Sequence, residues 1–334
     1  MTVPSGALRF NSDSGKLEYY NGEVWWQIDN FSADNATGGA RGVFGGGGSP
    51  VHVNTIQYLT ISTTGNAIDF GDLSVPNMQI SGCSSSTRGL FGGGALAPGA
   101  RTNTIEFVTI SITSNVTDFG DLTFARDFFA ACSSSTRGLF GGGFSPSPTN
   151  TRFNVIDYVT IAATGNAIDF GDLSSFRQES YSCSSSTRGI FAAGYTTSPS
   201  AAYVNVIEFV TISTLGNTSD FGDLSTIRGS GSSCSNSTRG IFAGGYSPNA
   251  PRIDFITIAS NGNSTTFGDL SVARNNLTGC SSPTRGVFAG GNAPTATNTI
   301  DYITILSTGN AIDFGDLLTV QARMGGFSNA HGGL

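Results

Sequence analysis

Along this chain, apolar and polar residues alternate in short runs, each cut off by glycine, serine, threonine or asparagine. Residues 104–110, Thr-Ile-Glu-Phe-Val-Thr-Ile, are representative. Near-alternation turns one face of a strand to a core and the other to solvent, whereas no segment sustains the 3.6-residue period of an amphipathic helix. Strands are therefore expected throughout, and helix almost nowhere.

The pattern repeats. Phe-Gly-Asp-Leu begins at Phe70, Phe119, Phe170, Phe221, Phe267 and Phe314, and Arg-Gly followed by an aliphatic residue and Phe begins at Arg41, Arg88, Arg137, Arg188, Arg239 and Arg285, giving a period of 46 to 51 residues. One period reads as four strands: a at 80–85, b from Arg88 to Phe91 into a glycine triplet, c at 104–110, and d at 66–73 of the preceding copy. A four-stranded unit cannot cover both its faces alone, but repetition around a ring covers them and protects the edges. The expected fold is all-β: a six-bladed β-propeller over residues 31–334, with a small β-meander at 1–30. To complete the first blade, Met324 to Asn329 fits the strand-a slot, with Phe327 where other copies carry Cys. The competing segment, 33–37, puts Asp34 into an innermost strand, so the C-terminal segment is favoured.

The order of elements, Gly-Gly after strand b, an acidic-aromatic pair in strand c and an aromatic in strand d, resembles the kelch repeat over residues 38–330, with Phe replacing the kelch Trp of strand d. The N-terminal segment, from Pro4 through Asn21-Gly22 to Trp25-Trp26-Gln27-Ile28, resembles a module at the start of tail-fibre and other virion proteins of bacteriophages, marine cyanophages in particular. The blade wording at 298–305 and 310–317 resembles repeat proteins of the same phages. These resemblances imply a kelch-like propeller on a virion, assembled in the host cytoplasm and exposed on the particle. The implied partners are other virion proteins through the N-terminal module, a host-surface glycan or protein, and a further copy of the chain in a homo-oligomer.

Composition and charge change this picture little. Charged residues are 12% of the 334, the net charge is −7, and Lys16 is the single lysine. With no basic cluster, nucleic acid is not an expected partner. The opening Met1 to Gly6 has no basic and apolar leader, and no apolar run approaches a membrane span, so neither secretion nor membrane insertion is expected.

Most charges belong to the repeat, and so do not build an asymmetric catalytic site. Sixteen of the 23 acids are periodic: Asp72, Asp121, Asp172, Asp223, Asp269 and Asp316 of Phe-Gly-Asp-Leu, five Asp before its Phe, and Glu106, Asp157, Glu208, Asp254 and Asp301 of strand c. The equal count of strand-b Arg (Arg88, Arg137, Arg188, Arg239 and Arg285 with Arg41) and Phe-Gly-Asp-Leu Asp predicts Arg-to-Asp pairs around the ring. A row of carboxylates holding Ca²⁺ is the weaker reading, because clustered oxygen ligands within one loop are missing. Arg126, Arg177, Arg228 and Arg274 recur after strand d. Cys83, Cys132, Cys183, Cys234 and Cys280 each lie 13 residues after the Phe of the motif, one per blade, and read as small buried residues rather than disulfides or metal ligands.

Motifs that mimic chemistry also repeat. Asp69-Phe70-Gly71 imitates a kinase magnesium motif and 45–48 a phosphate loop, but both recur as turns without a following helix. Asn11, Asp13 and Gly15 echo a sialidase Asp-box once, and only His52 and His331 are available as histidine bases. No catalytic residues, cofactor or metal are expected, and a polysaccharide-active enzyme is a distant alternative. The asymmetry lies in the loops. The a-to-b and c-to-d turns keep nearly fixed length, whereas the b-to-c loops vary. Candidate ligand-binding residues on that variable face are His52, Phe144, Phe153, Tyr195, Tyr203, Tyr246 and Asn292, with Phe128, Phe129 and Tyr181 from the d-to-a loops. Residues 30–40 are expected to enter on the constant face, so that the N-terminal module anchors that side.

Overall fold

The computed structural model describes residues 3–11, 16–28, 40–48, 51–147, 149–246 and 250–334. Among them there is no helix. The chain divides into two compact units, Met1–Gly39 and Ala40–Leu334. The competing strand at 33–37, with Asp13 and Gly15 of the Asp-box echo, lies outside the described residues.

The first unit is a three-stranded antiparallel meander of Leu8–Asn11, Lys16–Tyr20 and Trp25–Ile28. Asn21 Oδ1 accepts hydrogen bonds from the amides of Glu23 and Val24, and Gly22 sits at φ +106°, as the Asn-Gly turn requires. Leu8 pairs with Tyr19 and Tyr19 with Trp26, which aligns three exposed apolar side chains across the sheet.

The second unit holds six four-stranded antiparallel sheets in the order a-b-c-d. Sheet II illustrates them: a Ser81–Ser84, b Arg88–Gly92, c Thr104–Thr109, d Thr117–Asp121. Sheets III to VI follow in chain order. In sheet I, strand a is the C-terminal Gly325–Ser328, paired with Arg41–Gly45 through Phe327↔Val43, and strands c and d are Thr55–Thr60 and Ile68–Asp72. The expected C-terminal strand a is thus observed. Short two-stranded ribbons, such as Phe144–Ser145 with Thr151–Arg152, fold the longer b-to-c loops and lie beyond what the repeat predicts.

Six buried apolar clusters form the core, and each joins two consecutive sheets, the last joining VI to I. One brings Leu90, Ile105 and Phe119 of sheet II against Phe140, Val159 and Ile161 of sheet III. Another brings Val287 and Ile300 of sheet VI against Phe44, Leu59 and Ile61 of sheet I. Such close contact demands small residues. The cysteines are free and buried, and each sulfur lies against the strand-b glycine of the next sheet; an added Cβ at Gly138 would stand 2.7 Å from Cys83 Sγ. Phe327 takes that place in sheet I, lying over Gly89 and 4.8 Å from the Phe91 ring centre.

Strand a is also stitched laterally. Ser84 Oγ donates to Ser328 O, Ser133 to Ser84, Ser184 to Ser133, Ser235 to Ser184, Ser281 to Ser235, and Ser328 to Ser281, so that the six bonds close on themselves. At the outer edge, the Asn of each c-to-d turn accepts from the motif Asp amide of the preceding sheet in the same cyclic manner, as in Asn115 with Asp72 and Asn66 with Asp316.

The motif glycine is fixed by this edge. At Gly171, φ is +147°, and an added Cβ would lie 2.4 Å from Gly216 O in the next sheet's turn. Gly171→Ala is expected to destabilise the fold by about 1–3 kcal/mol, measured by equilibrium denaturation, because the obstacle is backbone that cannot rotate away. The five thiols are raised by burial, Cys132 to about 12 and the others also upward. None should react with a disulfide reagent at pH 8 in the native protein, and all five should react in denaturant.

Candidate functional site

The d-to-a loops converge where the six a strands begin. The ninth residue after each motif Phe is Gln79, Phe128, Glu179, Ser230, Asn276 or Arg323, and all six have positive φ between 53° and 64°. Their backbones form another closed cycle. Gln79 N donates to Arg323 O, Phe128 N to Gln79 O, Glu179 N to Phe128 O, Ser230 N to Glu179 O, Asn276 N to Ser230 O and Arg323 N to Asn276 O. Holding a non-glycine residue left-handed costs about 1 kcal/mol or more, and the cycle is what over-determines it. The six positions surround a cavity of 140 Å³ that continues toward the Ser and Cys side chains of strand a.

The far end of that space is closed by the chain's own C-terminus. His331 Nδ1 accepts from Gly333 N at 3.0 Å, so Nε2 carries the proton and donates to Ser84 O at 2.9 Å; Gly332 N donates to Ser235 O. Burial lowers the His331 pKa, keeping the ring neutral.

Beside the open end lies a larger hollow of 370 Å³, lined by Phe128, Glu179, Tyr203, Ser230, Tyr246, Asn275, Asn276, Asn292, Pro294 and Arg323. The b-to-c and d-to-a loops therefore meet in one place. Four predicted residues line it: Phe128, Tyr203, Tyr246 and Asn292. Tyr195 stands edge-on to Tyr203 at 5.2 Å, and Tyr203 to Tyr246 at 5.8 Å, making an aromatic wall of which Tyr246 is 51% exposed. Phe144 joins through Arg152, whose guanidinium lies 5.3 Å from Phe144 and 5.2 Å from Tyr195. Phe153 stacks instead on Phe124, and His52, bridged to Gly48, does not line the hollow.

Two predicted binding residues lie buried in the wall of the 140 Å³ cavity instead of exposed on the loops. Phe129 and Tyr181 are 4% and 2% exposed; Phe129 packs edge-on against Phe140, and the Tyr181 hydroxyl donates to the Gly229 and Gly244 carbonyls. They sit at the first turn into strand a, where an aromatic fills space between sheets rather than facing solvent.

The predicted Arg-to-Asp pairs are also corrected. Arg88, Arg137, Arg188, Arg239 and Arg285, like Arg41, donate to strand-c-end carbonyls, of Ile161, Ile212, Ile258, Ile305, Ile61 and Ile110 respectively. Each also stacks on a strand-c aromatic ring, as Arg188 does on Phe209 at 4.4 Å. Among the described residues, Asp72, Asp121, Asp172, Asp223, Asp269 and Asp316 make no ion pair. The buried pairs run from the arginine after strand d to the strand-c acid of the next sheet: Arg126 to Asp157 at 3.0 Å, Arg228 to Asp254 at 2.8 Å, Arg274 to Asp301 at 2.9 Å, and Arg177 to Glu208. The reason is depth. The motif Asp sits at the solvated end of strand d, whereas the strand-c acid is buried beside the core and must be neutralised there.

Sequence reasoning missed Gln79, Glu179, Ser230, Asn276 and Arg323. The signal was available, because aligning the repeats on Phe-Gly-Asp-Leu exposes three consecutive positions, the eighth to tenth after the Phe, each occupied by six different residues, with the rim residues at the middle one. Electrostatically the hollow is mixed. Glu179 Oε2 accepts from Tyr203 and Ser230 hydroxyls, while Arg323 Nε has no hydrogen-bond partner among the described residues. Burial and the Glu179 charge raise the Tyr203 pKa, so the phenol stays a donor. Among the described residues, no three His, Cys, Asp or Glu side chains converge as metal ligands. A comparison with known proteins finds no matching family model and no matching curated protein.

Asp127 underlies this face, ion-paired with Arg101 (Nε to Oδ2, 2.7 Å), yet its burial outweighs that pairing and raises its pKa to about 6. A carboxyl raised on folding favours the native state fully below its unfolded value and loses that contribution as pH rises through 6. Relative to Asp127→Asn, the wild type should therefore gain stability, by up to about 2–3 kcal/mol, between pH 7 and pH 4 in parallel denaturation series.

Proposed function

We propose that the six sheets are the blades of a six-bladed, kelch-like β-propeller, and that the protein is a non-enzymatic phage virion component, a tail fibre or appendage, that recognises a host surface. The propeller reading is supported by the cyclic order of sheet contacts, in which I follows VI through the C-terminal strand. The recognition reading rests on one observation above the others: six repeat-equivalent residues of six different types, all held at positive φ, rim the cavity beside the aromatic hollow. Tyrosine faces, amide groups of asparagine and an arginine with a spare donor suit the hydroxyl and carboxylate groups of a surface glycan or an exposed protein loop. The row of Leu8, Tyr19 and Trp26 supports attachment of the N-terminal module to another virion protein or a further copy of the chain.

A structural connector that binds no receptor is the second reading, favoured by exposed apolar residues on the outer strands, among them Ile68, Ile168 and Ile312. A polysaccharide-active enzyme remains the distant alternative. Binding of the full chain to host cells and to a glycan array separates the first two. Tyr246→Ala and Arg323→Ala should each weaken binding by about tenfold or more with the melting temperature unchanged. No binding to either, or binding indifferent to both substitutions, rejects recognition at this face. Release of reducing ends from host polysaccharide would instead support the enzyme.

A further inference from the structure

The junctions between sheets are not all alike. In four of them the residue seven positions after the motif Phe is arginine, and its guanidinium reaches the strand-c acid of the next sheet. Three of the four make the same contacts. Arg126 donates to Phe140 O, Val155 O and Asp157; Arg228 to Phe242 O, Arg252 O and Asp254; Arg274 to Phe288 O, Thr299 O and Asp301. In the fourth, Arg177 meets Ala193 O and Glu208. At the junction of VI with I both partners are changed together, and Gln321 and Gln57 share a neutral, buried hydrogen bond of 2.6 Å.

At the junction of I with II only the cation is changed. Asn77 stands at the arginine position, while strand c of sheet II keeps its acid, Glu106. The backbone of Asn77 is held as in the other copies, and its Nδ2 donates to Gly93 O at 2.8 Å. There the short side chain stops. Asn77 is 7% exposed, and its Oδ1 has no hydrogen-bond partner among the described residues. Among the described residues Glu106 is held by Ser74, through a long amide bond of 3.3 Å and the Ser74 side chain, and makes no ion pair. Between them is a cavity of 270 Å³, lined by Asn77, Glu106, Phe91, Thr104, Leu96 and Val75 among others. The Phe91 and Thr104 carbonyls hold the repeat positions of the carbonyls that accept from Arg126. Val75, 46% exposed, stands at the cavity and marks its opening to solvent.

We propose that this cavity is a binding site for a guanidinium group carried in from outside, the side chain of an arginine on a partner polypeptide. It would donate to Glu106, to the Phe91 and Thr104 carbonyls and to Asn77 Oδ1. The acceptor set is the one the molecule already uses for a guanidinium at neighbouring junctions, and planar, multiply donating geometry is what distinguishes that group from an ammonium. The site is independent of the recognition face, since it needs neither the aromatic hollow nor its rim.

The test uses the full chain and the probe N-acetyl-arginine amide, followed by amide resonance shifts of Asn77, Gly93 and Glu106. Saturable binding is expected in the wild type, weaker by about tenfold or more in Glu106→Gln. Asn77→Arg, which restores the arginine within the chain, should abolish binding and raise the melting temperature. The neutral isostere N-acetyl-citrulline amide should bind at least about tenfold more weakly than the arginine probe. Absence of saturable shifts in the wild type, or equal binding by wild type, Glu106→Gln and Asn77→Arg, overturns the proposal. Should Asn77→Arg fail to fold, the Glu106→Gln and citrulline comparisons still decide it.

Discussion

The rest of this structure depends on how closely the first strands of neighbouring sheets approach. A serine hydroxyl on each first strand donates to a carbonyl of the adjacent one, and six such bonds close head to tail. That spacing leaves no room for ordinary side chains. It accounts for glycine against cysteine sulfur in strand b, for the motif glycine against a neighbouring turn carbonyl, and for a composition in which 46 of 334 residues are glycine. The closure also makes the chain ends interdependent, because two of the six bonds involve Ser328, on a strand that belongs to a sheet begun nearly three hundred residues earlier. A cooperative unit of this kind has no obvious place to fray except its loops.

The charges obey a second constraint, imposed by depth. An acid buried beside the core carries a desolvation cost that only a close cation or the loss of the charge can offset. Four junctions use arginine, one replaces both partners with glutamine, and one retains the acid without the arginine. Burial raises the pKa of Glu106, as expected for a carboxylate left with little more than the Ser74 bond. The strand-b arginines, by contrast, are not there to neutralise anything. They bind carbonyls and rings across a junction, for which a planar donor on a long stem is suited and a lysine is not, in keeping with a chain of fifteen arginines and one lysine.

Strand positions, the four-strand period and the C-terminal completion of sheet I were legible because repetition turns one ambiguous strand into six concordant ones. The cysteines were legible for the same reason, since one per repeat puts them on separate sheets. Ion pairing was not. Equal numbers of Arg and Asp in two motifs, such as Arg88 and Asp72, look like partners, but number says nothing about depth, and the buried acids are those of strand c. The rim residues escaped attention because a left-handed Glu179 or Arg323 carries no compositional mark of the kind glycine gives. Phe129 and Tyr181 were misread for the converse reason, as aromatics near loops that in fact fill the space between sheets.

Symmetry and function bear on each other at that rim. A repeat can hold its backbone by bonds that ignore side-chain identity, and the six-membered amide-to-carbonyl cycle from Gln79 to Arg323 does so. Once the backbone is fixed by its neighbours, the side chain at each position is released from packing and can differ from copy to copy without cost to the fold. The same logic separates Asn77 from the rim: there the side chain was part of the packing, and changing it left a cavity with its acceptors in place. Variation at a free position alters what the surface offers to a partner, whereas variation at a packed position creates a site inside the wall. In a molecule built from six copies, these departures from the repeat are where chemistry specific to one partner can be written.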